Sequence, residues 1–402
     1  MTVGRGRLDI LAPETHIDPW PLYTRLQEET PLYFDEVSGV WIVSRYDDIC
    51  KISKMPKIFT SEQGNRPNLP GDESFINKDG RMHAVRRSLV NAHFGPRAVA
   101  KMEDHIRDAV VDLLDSVPDG PFDFVEHVAA PLPMRIIGEM CGIPHEYHDD
   151  VRRWMDVFMT GGNGPDHVTM EVNEAFMNFG ALHFQLIDER RETPQDDLLT
   201  LWMNAEIDGE PYNDDQLLFE HTMMMIGGSE TARNAITGGL EQLIAHPEQA
   251  QYLLENPGAI ENAFEEMTRW VTPFISMSRT ATCDYDGLYG TTIREGEEVM
   301  FLYPAANREP GKFPNPHTFD VQRDFSTVKP IAFGYGPHFC IGARLARMEG
   351  KVLFEELLKR WSDLRIAREP VRAVSSFVRG ITQLDITRVR AEDIGRAALA
   401  SK

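Results

Sequence analysis

Phe333-Gly334-Tyr335-Gly336-Pro337-His338-Phe339-Cys340-Ile341-Gly342 is the stretch on which the reading of this chain turns. Its glycines let the backbone pass close to a flat ligand, because no side chain obstructs the approach. Cys340 stands just before a helical pattern that runs from Ala343 to Trp361. The positive end of that helix favours a thiolate over a thiol, and the thiolate is the metal-ligating form. Backbone N–H groups of the loop can hydrogen-bond the sulfur and tune its electron donation. A Gly-rich turn with an incidental buried cysteine would account for the glycines, but not for Phe333 and His338.

The other cysteines, Cys50, Cys141 and Cys283, lie far apart, and no two cysteines of the chain are spaced C-x-x-C. The pattern argues against a disulfide scaffold, a zinc ribbon, a thioredoxin-type motif and covalent haem attachment. These three read as buried small hydrophobes. The 402 residues include 41 basic and 63 acidic side chains, a net charge of −22. So acidic a surface repels phosphate backbones, and no nucleic-acid partner is expected. Met1 to Pro21 is polar, and no apolar run reaches the length of a membrane span. A cytoplasmic protein without a membrane anchor is the expectation.

Around the Cys340 segment the chain reads as one unit. Leu32-Tyr33-Phe34 and Val40-Trp41-Ile42-Val43 are the arms of a β-hairpin. Gln63 to Gly80 is rich in Gly, Pro, Asn and Asp and reads as a long loop of the lid type. Helical patterns dominate from Met82 to about His246, Glu298 to Leu302 is a strand, and 307–332 is irregular. The expectation is a mainly α domain with minor β over 1–390 and a frayed C-terminal tail over 391–402.

Three further constellations carry chemistry. Glu266 and Arg269 stand three apart on one helical face and can pair, although solvated surface pairs have the same spacing. Ile226-Gly227-Gly228-Ser229-Glu230-Thr231 lies inside a helical pattern from Leu217 to His246, roughly 45 Å long at 1.5 Å per residue. Adjacent glycines there cost about 1 kcal/mol each against alanine. Either close approach of a ligand or close packing of another helix must justify them. Glu230 and Thr231 beside them suggest proton delivery. Finally, His83 and Arg87 stand four apart and could clamp an anionic group, or form a solvated basic face.

In this order, the four segments resemble the soluble bacterial cytochrome P-450 superfamily, from the Leu32 hairpin to the strands near Leu384. The resemblance implies a single large triangular fold. A long central helix crosses a haem, and a Cys-ligand loop precedes a proximal helix. It makes Cys340 the axial thiolate of haem b. It makes Glu266, Arg269 and Arg323 a structural triad that locks the segment leading to the cysteine loop. His83, Arg87, Arg279 and His338 resemble the residues that hold the haem propionates, and Phe333, Gly336 and Gly342 the loop against the haem. Glu230 and Thr231 resemble the family's acid–alcohol pair, and Gly227 and Gly228 the point where its helix opens to oxygen. Met224, Pro273, Phe274, Ile275, Phe377 and Val378 should line the substrate pocket with the two glycines, together with the rest of the segment Val271 to Met277 and the loop Gln63 to Gly80. Two departures stand out: Gly227 where the family often has Ala, and Asp79-Gly80-Arg81-Met82 where prolines often precede the His.

The implied activity is a monooxygenase that activates dioxygen with two externally supplied electrons. Thiolate ligation favours O–O cleavage. The implied substrate is a hydrophobic small molecule, with a steroid, terpenoid or other bulky lipid as the nearest class. The implied electron source is a ferredoxin with its NAD(P)H-dependent reductase, docking on Arg344, Arg347 and Lys351, with Arg86 nearby. A haem-thiolate peroxygenase or oxidative coupling enzyme is the alternative, and a non-catalytic haem sensor a further one. Glu230 and Thr231 together favour oxygen activation.

Overall fold

The fold is taken from a computed structural model that describes residues 3–390. The tail expected over 391–402 lies outside the described residues. The hairpin forms as its alternating arms require. Strand β1 (Gly4–Gly6) lies beside β2 (Leu32–Asp35), which pairs antiparallel with β3 (Val40–Val43). Strands β4 (Phe59–Thr60), β5 (Ser276–Ala281) and β6 (Glu298–Leu302) complete one sheet in the order β1-β2-β3-β6-β5-β4. Alternation divides β3 between two cores. Val40 and Ile42 pack with Ile10, Tyr23 and Met300, while Trp41 and Val43 pack with Ile49, Phe59 and Phe301.

The helices that position the site are α1 (Gly80–Phe94), α2 (Pro131–Cys141), α3 (His148–Thr160), α4 (Met170–Glu192), α5 (Asp214–Ala245), α6 (Ile260–Val271) and α7 (Ala343–Arg360). At 32 residues, α5 runs about 48 Å through the molecule. Asn213 starts it with a capping box: its side chain accepts from the Gln216 N–H, and Gln216 accepts from the Asn213 N–H. Other helices cross α5 at its glycines. A Cβ on Gly228 would stand 2.4 Å from Ile137 of α2, one on Gly238 2.5 Å from Val271 of α6, and one on Gly239 2.6 Å from the Met267 sulfur. Gly227 faces open space instead. The two explanations for adjacent glycines thus divide between them: Gly228 admits a helix, and Gly227 opens toward a cavity.

The Glu266–Arg269 pair is no surface bridge, since both side chains are fully buried. Arg269 donates from Nε to Glu266 Oε2 at 2.6 Å and from Nη2 to Oε1 at 2.7 Å. Arg323 donates from Nε to Oε2 at 3.0 Å, and the Asp320 N–H donates to Oε1 at 2.9 Å. The remaining guanidinium N–H groups reach carbonyls: Arg269 those of Asn307 and Pro316, Arg323 those of Pro314 and Thr318. Chain 307–323, which has no repeating backbone ladder of its own, is tied to α6 in this way. Removing one partner leaves a buried charge uncompensated, at about 3–5 kcal/mol. Glu266→Ala and Arg269→Ala should therefore sharply lower both the yield of folded protein and its melting temperature. Unchanged melting in both variants, read by circular dichroism, would reject the role of the triad.

Candidate active site

Between α5 and the 333–342 loop lies a cleft with about 1420 Å³ of empty space, part of it open to solvent. Gly227, Gly228, Thr231, Ala232 and Ala235 of α5 line one wall. Phe333, Gly334, His338, Cys340, Ile341, Gly342, Leu345 and Ala346 line the wall opposite. The small residues on both walls leave a slot.

The cysteine loop is closed by the Cys340 N–H donating to the Phe333 carbonyl at 2.8 Å. Gly334 and Gly336 hold φ of +73° and +76°, where other residues are strained. Gly336 lies outside the cleft lining; a Cβ on it would meet the Ser53 carbonyl at 2.5 Å, so it seats the loop on that backbone. Burial pushes the Cys340 thiol up, while the Gly342 and Ala343 N–H groups and the charges of Arg87 and Arg347 oppose it. A metal ion supplies the positive charge that would stabilise the thiolate there.

One edge of the slot is cationic. Arg87 donates to the Phe339 carbonyl at 2.6 Å and Arg279 to the Ser278 carbonyl at 2.6 Å. Neither has a carboxylate partner among the described residues. His338 Nε2 lies 2.9 Å from Asp79 Oδ1, and Asp79 also accepts from the Thr60 hydroxyl and the Ser61 N–H. His83 is behind the lining, its ring stacked on His338 with centroids 4.1 Å apart, and its buried Nε2 has no partner. An orphaned buried donor, two unneutralised arginines and a glycine-walled slot over a cysteine fit a flat apolar ring with acidic groups on one edge.

Above the slot, Thr231 lines the cleft and its hydroxyl donates to the Gly227 carbonyl at 2.8 Å. The expected acid beside it is turned away. Glu230 is buried outside the cleft lining, accepting from Arg233 Nη2 at 2.6 Å, and Arg233 also donates to Asp156 of α3 at 2.8 Å. Burial raises the Glu230 carboxyl well above the usual range; Arg233 opposes this and Asp156 adds to it.

The structure divides the expected pocket residues. Met224, Pro273 and Phe274 line the cleft with the two glycines. Ile275, Phe377 and Val378 do not. Residues 273–275 run against 377–379 as a short ladder, with the Ile275 N–H donating to the Phe377 carbonyl at 2.8 Å. Alternation turns Phe274 to the cleft and Ile275 into the core of Ile10 and Met300. Phe377 stacks behind Phe274 at 4.9 Å, with Val378 in the same cluster. Arg86 also departs from expectation. It is buried beside Glu220 of α5, at 3.7 Å, and is no part of the exposed basic face. On that face Arg344 is exposed, Arg347 pairs with Glu265, and Lys351 with Glu103 at 3.2 Å.

Phe75 and Ile76 of the 63–80 loop and Met277 of the 271–277 segment line the cleft, as those segments were expected to, while sequence reading missed Tyr303 and Glu349, which line it too. Glu349 breaks the buried face of Leu345, Val352 and Leu353, and burial pushes its carboxyl up to about 8.

One family model, described as Cytochrome P450, matches residues 259–370. The steroid C26-monooxygenase of Mycobacterium tuberculosis is 35% identical over 93% of this chain and 94% of its own length. The methyl-branched lipid omega-hydroxylase of Mycobacterium bovis is 35% identical over 96% of this chain and 91% of its own. Among solved structures, CYP109E1 from Bacillus megaterium in complex with testosterone superposes with a TM-score of 0.85 at 28% identity, covering 94% of this chain and 99% of that one.

Burial, with His338 and Arg87 beside it, pushes His83 down to about 4 from its ordinary 6.5. Between those values the unfolded chain binds the proton and the folded one does not, so stability rises with pH across this window. Ligand-free protein should therefore lose up to roughly 3 kcal/mol from this group as pH falls from 6.5 through 4. His83→Phe should flatten that part of a urea-denaturation pH profile. An unchanged slope would show that His83 is protonated in the fold.

Proposed function

The chain belongs to the cytochrome P450 family, and on that premise we propose that it is a haem-thiolate monooxygenase hydroxylating a bulky hydrophobic lipid. The single observation that carries the reading is the placement of Cys340 and Thr231 on opposite walls of one slot with a cationic edge. When bound, haem supplies dioxygen activation by two electrons, and thiolate ligation favours O–O cleavage. Haem b fits the site, because it is held without covalent links and no C-x-x-C pair is present.

The residues divide the remaining work. Cys340 ligates the iron, with the Gly342 and Ala343 N–H groups directed at its sulfur. Arg87 and Arg279 take the propionates, with His338 and His83 behind them. Met224, Phe274 and Met277 hold an apolar substrate and exclude water. Thr231 would offer its hydroxyl as a positioning group on the wall facing Cys340, since an alcohol is too weak an acid to be the proton source. Glu230 is the titrating group, connected through Arg233 to Asp156, whose side chain is 36% exposed. The substrate class rests on the apolar cleft and on the steroid and branched-lipid oxidations named for the two relatives. No described helix is long and apolar enough to cross a membrane. A ferredoxin with an NAD(P)H-dependent reductase is the proposed electron source. Arg344 and the partly neutralised Arg347 and Lys351 would steer it.

Reduced protein under carbon monoxide should show the far-red Soret band of thiolate ligation, and Cys340→Ala should abolish it. Persistence of the band in that variant would remove Cys340 from the iron. Thr231→Ala should keep the band and still consume NAD(P)H, while product per electron falls and hydrogen peroxide rises. Glu230→Gln should instead slow turnover. Measuring product, peroxide and NAD(P)H together checks both. Unchanged coupling in Thr231→Ala would mean that its bond to the Gly227 carbonyl is its whole role.

A further inference from the structure

Counting charges around the cleft leaves one cation unmatched. Among the described residues Glu349 is the only acid that lines it, and it belongs to the cysteine-side helix α7. Arg87 and Arg279 suffice for the two propionates of a haem. A third arginine, Arg66, stands at the rim. Its Nη1 donates to the Ser276 carbonyl at 2.9 Å and lies 3.2 Å from the Met277 sulfur. Its guanidinium carbon stands 3.1 Å from the Phe377 ring centroid and 5.0 Å from that of Phe274. Phe274 and Met277 line the cleft, as does the neighbouring Asn65. Arg66 has no carboxylate partner among the described residues, and its Nε and Nη2 donate to no protein acceptor there.

The backbone beneath Arg66 is fixed. The Gly71 N–H donates to the Gln63 carbonyl at 3.0 Å and the Leu69 N–H to the Arg66 carbonyl at 3.2 Å. Asn65 accepts from the Ser278 N–H at 2.9 Å, and the Asn68 N–H donates to Glu298 at 3.0 Å. The loop that reads as a lid from sequence is, at this point, pinned to the sheet. Ring contacts hold the guanidinium plane in turn. Its fork is thus set in place before any ligand arrives, and a planar fork of N–H donors matches a carboxylate with two parallel bonds. A half-buried site beside apolar walls screens such a pair less than open water does.

We propose that Arg66 anchors the carboxylate of an amphipathic lipid acid, whose apolar body passes Phe274 and Met277 toward Cys340. This rests on the monooxygenase reading and narrows its substrate class. An acid anchored at the rim presents the far end of its chain to the slot, so oxidation should fall away from the carboxylate.

The test titrates ferric holoprotein near neutral pH with dodecanoic acid and with methyl dodecanoate, reading the haem spin shift. The acid should bind at least about tenfold tighter than the ester. Arg66→Leu should erase that ratio by weakening the acid alone, and Arg66→Lys should keep part of it. Haem content and the carbon-monoxide band should be unchanged in both variants. Equal binding of acid and ester by the native chain, or an acid preference that survives in Arg66→Leu, overturns the proposal. So does loss of haem from Arg66→Leu with the ratio intact, which would give Arg66 to a propionate. A normal carbon-monoxide band with no shift from either compound also rejects the lipid acid, but leaves the monooxygenase reading standing. Absence of that band in the native holoprotein would instead sink the parent reading, and this proposal with it.

Discussion

A single buried carboxylate, Glu266, organises the side of the molecule on which the cysteine lies. It accepts from Arg269, Arg323 and the Asp320 N–H, and both arginines then bind carbonyls of chain 307–318. Irregular backbone cannot satisfy its own carbonyls, and burying them unpaired costs about 1–3 kcal/mol each. The two guanidinium groups supply those donors from a fixed direction. Their positive charge is tolerable in the interior only because Glu266 shares it. The Ile331 N–H donates to Asn307 Oδ1 at 2.8 Å, which extends the same scaffold to the threshold of the cysteine loop. The chain leading to Cys340 is thus held by an ion cluster whose members lie outside the cleft lining.

The opposite wall is set by a different constraint, the distance of closest approach along α5. Three of its glycines carry the crossings of α2 and α6, where any Cβ would collide with Ile137, Val271 or Met267. Gly227 alone spares space for a ligand. Each glycine weakens a helix by about 1 kcal/mol, and tertiary packing must offset that cost. One long helix thereby serves as both the central beam of the core and the ceiling of the slot.

Periodic and locally coded features were legible in the sequence. The hairpin, the long helix, the strand Glu298–Leu302 and the helix after Cys340 all lie where spacing and turn chemistry place them. The resemblance supplied the triangular cytochrome P450 fold, and spacing alone could not tell a buried Glu266–Arg269 pair from a solvated one. What escaped depended on side-chain direction in irregular chain. Ile275 and Phe274 are neighbours with opposite faces, and only the ladder against 377–379 decides which meets the cleft. Arg86 and Arg87 are likewise adjacent on α1, yet one enters the core beside Glu220 and the other reaches the cysteine loop. The helical turn of about 100° per residue sends the two adjacent side chains to different surroundings.

Electrostatics run counter to the composition. The chain carries a net charge of −22, yet the described edge of the cleft is cationic, with Arg66, Arg87 and Arg279 free of carboxylate partners. Acidic exterior and cationic interior edge are compatible because solvent screens the first within about a Debye length, while low-dielectric walls preserve the second. The acids that lie near the cleft follow the reverse logic. Glu230 is 5% exposed, Arg233 10% and Asp156 36%, so polarity is graded from the Thr231 turn outward to solvent. Burial holds the innermost carboxyl well above its usual range, while the Arg233 charge beside it opposes that shift.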